Sequence, residues 1–251
     1  MKRIVLSALV TLVCVFTIAQ DLPHALNADA AKETYIADQE PRLEVTEDEP
    51  ISNIILKLSD IDGNSYSIVK IGDQFWMAEN LKTTKYNDGS KIPLISDYNA
   101  WSRLISPGFC WYFNEAETYK ADYGALYNGY TISTGKLCPK GWHVPSAQEW
   151  QTLINYTGGK EVGGKLKGIG NEHWMSPNKD ATNAVGYAAL PGGSRGSRGS
   201  FFDDGLRGYW WSSTDFDNDN LWYSSMGYSS NEVENNFDEK KSGLSVRCIK
   251  D

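Results

Sequence analysis

The stretch that decides the fold is Leu137-Cys138-Pro139-Lys140-Gly141-Trp142-His143-Val144-Pro145-Ser146-Ala147-Gln148-Glu149-Trp150. Ser146 is a helix N-cap, and Glu149 three residues later completes a capping box. Ala147, Trp150, Leu153 and Ile154 then fall on one helical face. Gly158-Gly159 stops the run. The spacing predicts a helix over 146–157. A second, short helix is expected around Glu161 to Lys167, weakened by two glycines.

On either side of this helix the chain reads as strand. Downstream, Tyr209 to Ser213, Leu221 to Gly227, Glu232 to Phe237 and Gly243 to Ile249 are separated by polar turns. Ser245 to Ile249 alternates as a half-buried final strand does. Upstream, Ile54 to Leu58, Tyr66 to Ile71 and Phe75 to Met77 are joined by turns at Asp62-Gly63 and Gly72-Asp73. Asp60, Asp62 and Asn64 have calcium-type oxygens, but Gly63 and the missing Glu do not fit an EF-hand loop, so a turn is expected. Residues 82–135 are mixed. Residues 186–208 are Gly-rich and read as a long loop, in which Arg195 and Arg198 are candidates to meet an anionic ligand.

The N-terminus reads as an export signal. Lys2 and Arg3 precede an apolar run from Ile4 to Ala19, with Thr17 and Ala19 at the small-residue positions of a cleavage site. The run is short of the roughly 20 residues a membrane span needs, and no later stretch is long enough. Leu12 and Val13 precede Cys14, which disfavours lipidation. Of the net charge of −8, residues 1–19 contribute +2. Residues 20–50 hold nine acids and two bases, which leaves about −3 for 51–251. The segment 20–50 is therefore expected as a solvated, disordered spacer. No basic face marks a nucleic-acid partner.

Catalytic patterns are weak. The three His (His24, His143, His173) lack zinc-ligand spacing. No Gly-x-Ser-x-Gly elbow and no phosphate-binding loop occur. Asp203, Asp204, Glu232 and Glu234 are available carboxylates, but nothing singles out a glycosidase pair. Asp215, Asp217, Asp219 and Asn220 alternate ligand-type oxygens, but Met226 stands where an EF-hand needs Glu. A solvated turn is expected there, with calcium at Asp215, Asp217 and Asp219 as the alternative. All nine Trp lie between Trp76 and Trp222, and most are expected in the core. Trp210, Trp211, Trp222 and Tyr223, near polar loops, are the candidates to stack on a ligand.

Several segments resemble one family. Asp60-Ile61-Asp62-Gly63-Asn64-Ser65-Tyr66 and Ile71-Gly72-Asp73-Gln74-Phe75-Trp76-Met77-Ala78-Glu79-Asn80-Leu81 look like the opening of the Fibrobacter succinogenes major paralogous domain. Tyr123 to Asn128, Leu137 to Trp150, Trp211-Ser212-Ser213 and Ser245-Val246-Arg247-Cys248 match its later motifs, so the resemblance covers about 55–250. It implies an exported or surface protein of the Bacteroidota or Fibrobacterota. More distantly, the helix start and final strand are similar to the C-type-lectin-like fold, shared with formylglycine-generating enzymes. The implied fold is α+β and C-type-lectin-like: short antiparallel strands, one or two helices and long irregular loops, over 51–251. The reactive cysteine pair of those enzymes is missing, as are the calcium-lectin sugar motifs. In lectin-like folds the helix-bearing region and last strand lie side by side, which favours a Cys138–Cys248 disulfide over Cys110–Cys138. The expected function is a non-catalytic binding module for glycans, with a structural or adhesive surface protein as the alternative and a carbohydrate-active enzyme behind both. No cofactor is expected, calcium apart.

Overall fold

The computed structural model describes residues 56–251. The expected export signal, acidic spacer and Ile54-Ile55 lie outside the described residues.

Along the chain run β1 (Lys57–Ser59), β2 (Ser65–Ile71), β3 (Gln74–Met77), α1 (Tyr98–Ser102), β4 (Phe109–Cys110), a 3-10 turn (Tyr112–Asn114) and α2 (Ala116–Tyr123). Then come β5 (Leu126–Asn128), α3 (Gly129–Ile132), β6 (Trp142–His143), α4 (Ala147–Thr157), α5 (Gly163–Leu166) and β7 (Gly192–Arg195). The chain ends with β8 (Phe201–Asp204), β9 (Arg207–Asp215), β10 (Asn220–Gly227), β11 (Val233–Glu239), β12 (Gly243–Leu244) and β13 (Ile249–Lys250).

The strands form two sheets, a smaller one ordered β1-β2-β3-β13-β6 and a larger one ordered β11-β10-β9-β7-β12-β5-β4, with β8 paired to β7. Pairing is antiparallel except between β7 and β9. The class is α+β.

Local chemistry explains the elements the sequence predicts. Ser146 Oγ accepts from the Glu149 amide, and the Glu149 carboxylate accepts from the Ser146 amide, so the capping box of α4 is complete. Gly158 closes it in the left-handed region at φ 118°. At the first hairpin Asp60 accepts from the amides of Asp62 and Asn64, from Asn64 Nδ2 and from the Tyr66 hydroxyl. Asp60 thus organises a turn, as expected.

Three expectations are corrected. Among the described residues five α-helices stand where one or two were expected. Four of them are eight residues or shorter, and α2 buries no side chain, so it carries no apolar stripe to read. The Gly-rich stretch is not one long loop but contains β7 and β8. Its glycines serve close packing: a Cβ on Gly193 would lie 2.4 Å from the Phe202 carbonyl oxygen and 2.6 Å from the Tyr112 ring. The final strand is not half-buried. Residues 242–249 are all buried, because the segment passes between the sheets. The Trp211 amide donates to Ser245 O, that of Leu81 to Val246 O, and that of Met77 to Cys248 O.

Eight of the nine Trp are buried, so they build the core, and Trp222 alone is partly exposed. One cluster gathers Tyr127, Trp211, Leu244 and Val246, and a second gathers Trp76, Trp150, Tyr187 and Trp210. Asn80 joins them. Its Oδ1 accepts from Trp210 Nε1 (2.8 Å) and from Arg247 Nε (2.9 Å). Its Nδ2 donates to the Tyr123 carbonyl (2.8 Å). Arg247, 1 % exposed, also donates to the carbonyls of Tyr187 and Ala188 and lies over the Tyr187 ring. Gly124 is required beside this hub: at φ +71° its Cβ would meet Leu81 O at 2.7 Å.

Cys138 and Cys248 form a disulfide with a Cα–Cα distance of 6.0 Å and a sequence separation of 110. A loop that long stabilises by ~4–5 kcal/mol on the chain-entropy model. Cys110 is a free thiol, buried, and burial pushes its pKa up to about 12.

Candidate functional site

One open depression of about 290 Å³ lies on the larger sheet, lined by Ser194, Gly196, Ser197, Phe202, Asp203, Tyr209, Tyr223, Asp238, Ser242 and Leu244. The β7–β8 hairpin supplies one wall, and β9, β10 and β11 supply the others. Tyr209 and Tyr223 project from the same face of adjacent strands. Their rings meet edge to face, with centroids 5.7 Å apart.

Asp203 reaches the pocket by a break in strand alternation. Successive side chains in a strand point to opposite faces, yet both Phe202 and Asp203 line the depression. Asp203 has φ 66°, a left-handed conformation that Asp tolerates better than most residues. Its neighbour Asp204 accepts from the Tyr119 hydroxyl (3.2 Å) at α2. Asp203 accepts a short hydrogen bond from the Tyr209 hydroxyl. Burial and then that carboxylate push the Tyr209 pKa well above its ordinary value, so the phenol stays a neutral donor.

Asp238 sits at the other end. Burial raises its pKa, although the Glu239 amide and the nearby Ser242 hydroxyl act against the rise. Ser242 is 1 % exposed, and its Oγ has no hydrogen bond of normal length and angle. The lining thus offers three aromatic rings, two carboxyls, small hydroxyls and no lysine, arginine or histidine. It suits a polar ligand with a ring face to cover. No histidine, lysine or cysteine lies in the lining to activate Ser194 or Ser242 as a nucleophile.

The sequence model of the Fibrobacter succinogenes major domain matches residues 69–250. The chain belongs to that family. Searches of curated proteins and of solved structures each found no match.

In this Fibrobacter succinogenes major domain, the motif residues and the pocket residues are different sets. Asn80, Trp210, Trp211, Ser245, Arg247 and Cys248 form the buried frame, and of the residues expected to bind ligand only Tyr223 lines the pocket. Trp210 and Trp211 are corrected as ligand contacts, because both are fully buried. Trp211 Nε1 donates to Tyr127 O (2.7 Å). Arg195 is corrected likewise. It is 1 % exposed and donates to the carbonyls of Ile95, Ser96 and Gly199. Its guanidinium lies over Trp101 and Phe201. Arg198 is exposed, beside Ser197 but outside the lining.

Asp215, Asp217, Asp219 and Asn220 stand at the β9–β10 hairpin. Asp217 accepts from the amides of Asp219 and Asn220 and from Asn220 Nδ2, so it closes the turn. Asp215 pairs with Lys240 at 2.6 Å. Among the described residues no group of three His, Cys, Asp or Glu is placed to hold a metal ion. Of the carboxylates weighed for catalysis, Glu232 pairs with Lys160 and Glu234 with Arg207. Sequence reasoning missed Tyr209, Asp238 and Ser242, and treated Asp203 as one carboxylate of several. The one available signal was Asp203-Asp204-Gly205, a turn sequence beside a strand.

Proposed function

We propose that this protein is an exported, non-catalytic binding module, that its fold is C-type-lectin-like, and that its ligand is a glycan held in the Asp203–Tyr209–Tyr223–Asp238 depression. The observation that carries this reading is the pairing of two tyrosine rings with two carboxyls in one open pocket. Sugar rings stack on aromatic faces, and their hydroxyls donate to carboxylates. The leader-like sequence of residues 1–19 supports export, and the Cys138–Cys248 bridge fits an oxidising compartment. Affinity electrophoresis across a panel of soluble polysaccharides tests the reading. Wild type is expected to be retarded by at least one, and Tyr223→Ala to lose that retardation by about tenfold in affinity, or ~1.4 kcal/mol. Binding is expected to survive a chelator. Free migration of wild type through every polysaccharide would sink the proposal.

A second reading, adhesion to a protein, has its own observation. Phe216 and Phe237 stack in parallel at 3.8 Å with Trp222 edge-on, and the two Phe are 43 % and 42 % exposed. Such a patch beside the edge strand β11 suits a protein partner.

A further inference from the structure

We infer that the Asp238–Ser242 end of the pocket recognises a protonated amine, so that the glycan class favoured is one built from free amino sugars. The inference rests on the reading of the depression as a glycan site, and adds to it the chemical group that this end selects.

Three observations converge. First, the pocket has two carboxyl groups, Asp203 and Asp238, and no cationic side chain in its lining. Arg207, on the neighbouring strand, is occupied by Glu234 and by Ser225 Oγ. Arg198 is exposed and outside the lining. Lys240 is held by Asp215 and by the Asn218 carbonyl. Second, Ser242 is 1 % exposed in the pocket wall, and its Oγ, though near the Asp238 carboxyl, makes no hydrogen bond of normal length and angle. A buried hydroxyl is normally satisfied, and one left over marks a place where something else completes the bond. Third, Asp238 is desolvated without a counter-ion. Its Oδ1 accepts only the amide of the next residue, Glu239, at 2.7 Å.

Asp238 is partly buried, and a carboxylate withdrawn from water is costly unless a positive group faces it. An alkylammonium supplies that charge and three N–H donors. One N–H reaches the Asp238 carboxylate and a second donates to Ser242 Oγ. The sugar ring that bears the amine then lies over Tyr223, whose ring and carboxylate neighbours both favour a cation. A neutral sugar offers hydroxyl donors to the same groups but no charge. An N-acetylated sugar keeps one N–H donor but loses the charge, and adds an acetyl group whose carbonyl is a further acceptor beside an acceptor-only carboxylate. The order expected is therefore amino sugar, then neutral sugar, then N-acetyl sugar.

The test is calorimetry with three oligosaccharides of equal length and the same linkage, built from glucosamine, glucose and N-acetylglucosamine, plus a lysine oligomer of equal charge. The full-length protein is used, with Asp238→Asn, Ser242→Ala and the surface control Asp219→Asn. Wild type is expected to prefer the glucosamine oligomer at least tenfold over the glucose oligomer. Asp238→Asn is expected to erase that preference while keeping the neutral affinity, Ser242→Ala to reduce it several-fold, and Asp219→Asn to leave it intact. Equal affinity for the glucosamine and glucose oligomers overturns the inference and leaves the glycan reading standing. A lysine oligomer that binds as well as the glucosamine oligomer, with Asp238→Asn making no difference, also overturns it, by showing bulk attraction to an acidic protein. No binding of any oligosaccharide removes both. Circular dichroism of each variant separates a lost group from a lost fold.

Discussion

Asn80 joins four partners through one amide: Trp210, Arg247, the Tyr123 carbonyl and, at 3.3 Å, Ser245 Oγ. Replacing it by Ala leaves the indole, the guanidinium and the carbonyl without that partner in a dry interior. Each unsatisfied buried group costs ~1–3 kcal/mol, more when charged. Asn80→Ala is therefore expected to lose about 3–5 kcal/mol of stability, read as a shift in the denaturant midpoint of tryptophan fluorescence. A loss below about 1 kcal/mol would show that the hub relaxes without it. Asn80 and Arg247 stand in segments whose family resemblance is legible in the sequence, but their burial is not. Trp210 and Trp211 explain why. On a strand with one wet face, adjacent side chains alternate in and out. Strand β9 is instead covered on both sides: Trp211 enters one core cluster and Trp210 the other. Nothing local distinguishes that from a strand displaying one Trp to a ligand.

The helix α4 is the most legible element, because a capping box and a glycine stop are local signals. Its Glu149 has a further role that the spacing does not display. His143 on β6 bonds Glu149 through Nε2 (2.9 Å) and Asp251 through Nδ1 (2.6 Å), tying the helix start to the end of the last strand. Partial burial lowers the His143 pKa, but hydrogen bonds to Asp251 and Glu149 outweigh it and leave it above the ordinary 6.5. Burial raises Glu149, but bonds from Ser146 and His143 reverse this and leave it below the ordinary 4.5. A raised folded pKa gives stability that is full below the unfolded value and lost as pH rises through the folded one. A lowered carboxyl pKa gives stability that is full above its unfolded value and lost as pH falls through the folded one. The two terms overlap fully between pH 4.5 and 6.5. Because these groups are partly exposed, the tie is worth less than about 1 kcal/mol. His143→Gln is expected to flatten the thermal midpoint of the protein against pH above 6.5, by removing the decline expected of wild type there. Identical slopes for the two proteins would exclude the tie. By contrast β7, β8 and α2 were illegible. Glycines that permit close backbone approach look the same in sequence as glycines that make a loop, and a helix with no buried face has no period.

The pocket belongs to the molecule as a whole. Its walls come from 194–203, 209, 223 and 238–244, segments brought together only when β7, β9, β10, β11 and β12 have assembled in one sheet. That is why sequence alone picked Tyr223 and missed its neighbours: no two of Asp203, Tyr209, Tyr223 and Asp238 form a motif. It also means that an unfolded chain has no part of the site, so ligand binds the native state alone. Ligand at a hundred times its Kd then adds ~2.7 kcal/mol to unfolding. For a domain of this size each kcal/mol moves the midpoint by roughly 2–4 °C, so a saturating oligosaccharide is expected to raise Tm by about 5–10 °C. The shift should grow with the logarithm of ligand concentration and vanish in Tyr223→Ala. Differential scanning calorimetry on wild type and variant measures it. An unmoved wild-type midpoint at saturation by calorimetric titration would mean that the ligand binds a segment already formed in the unfolded chain, and so somewhere other than this composite pocket.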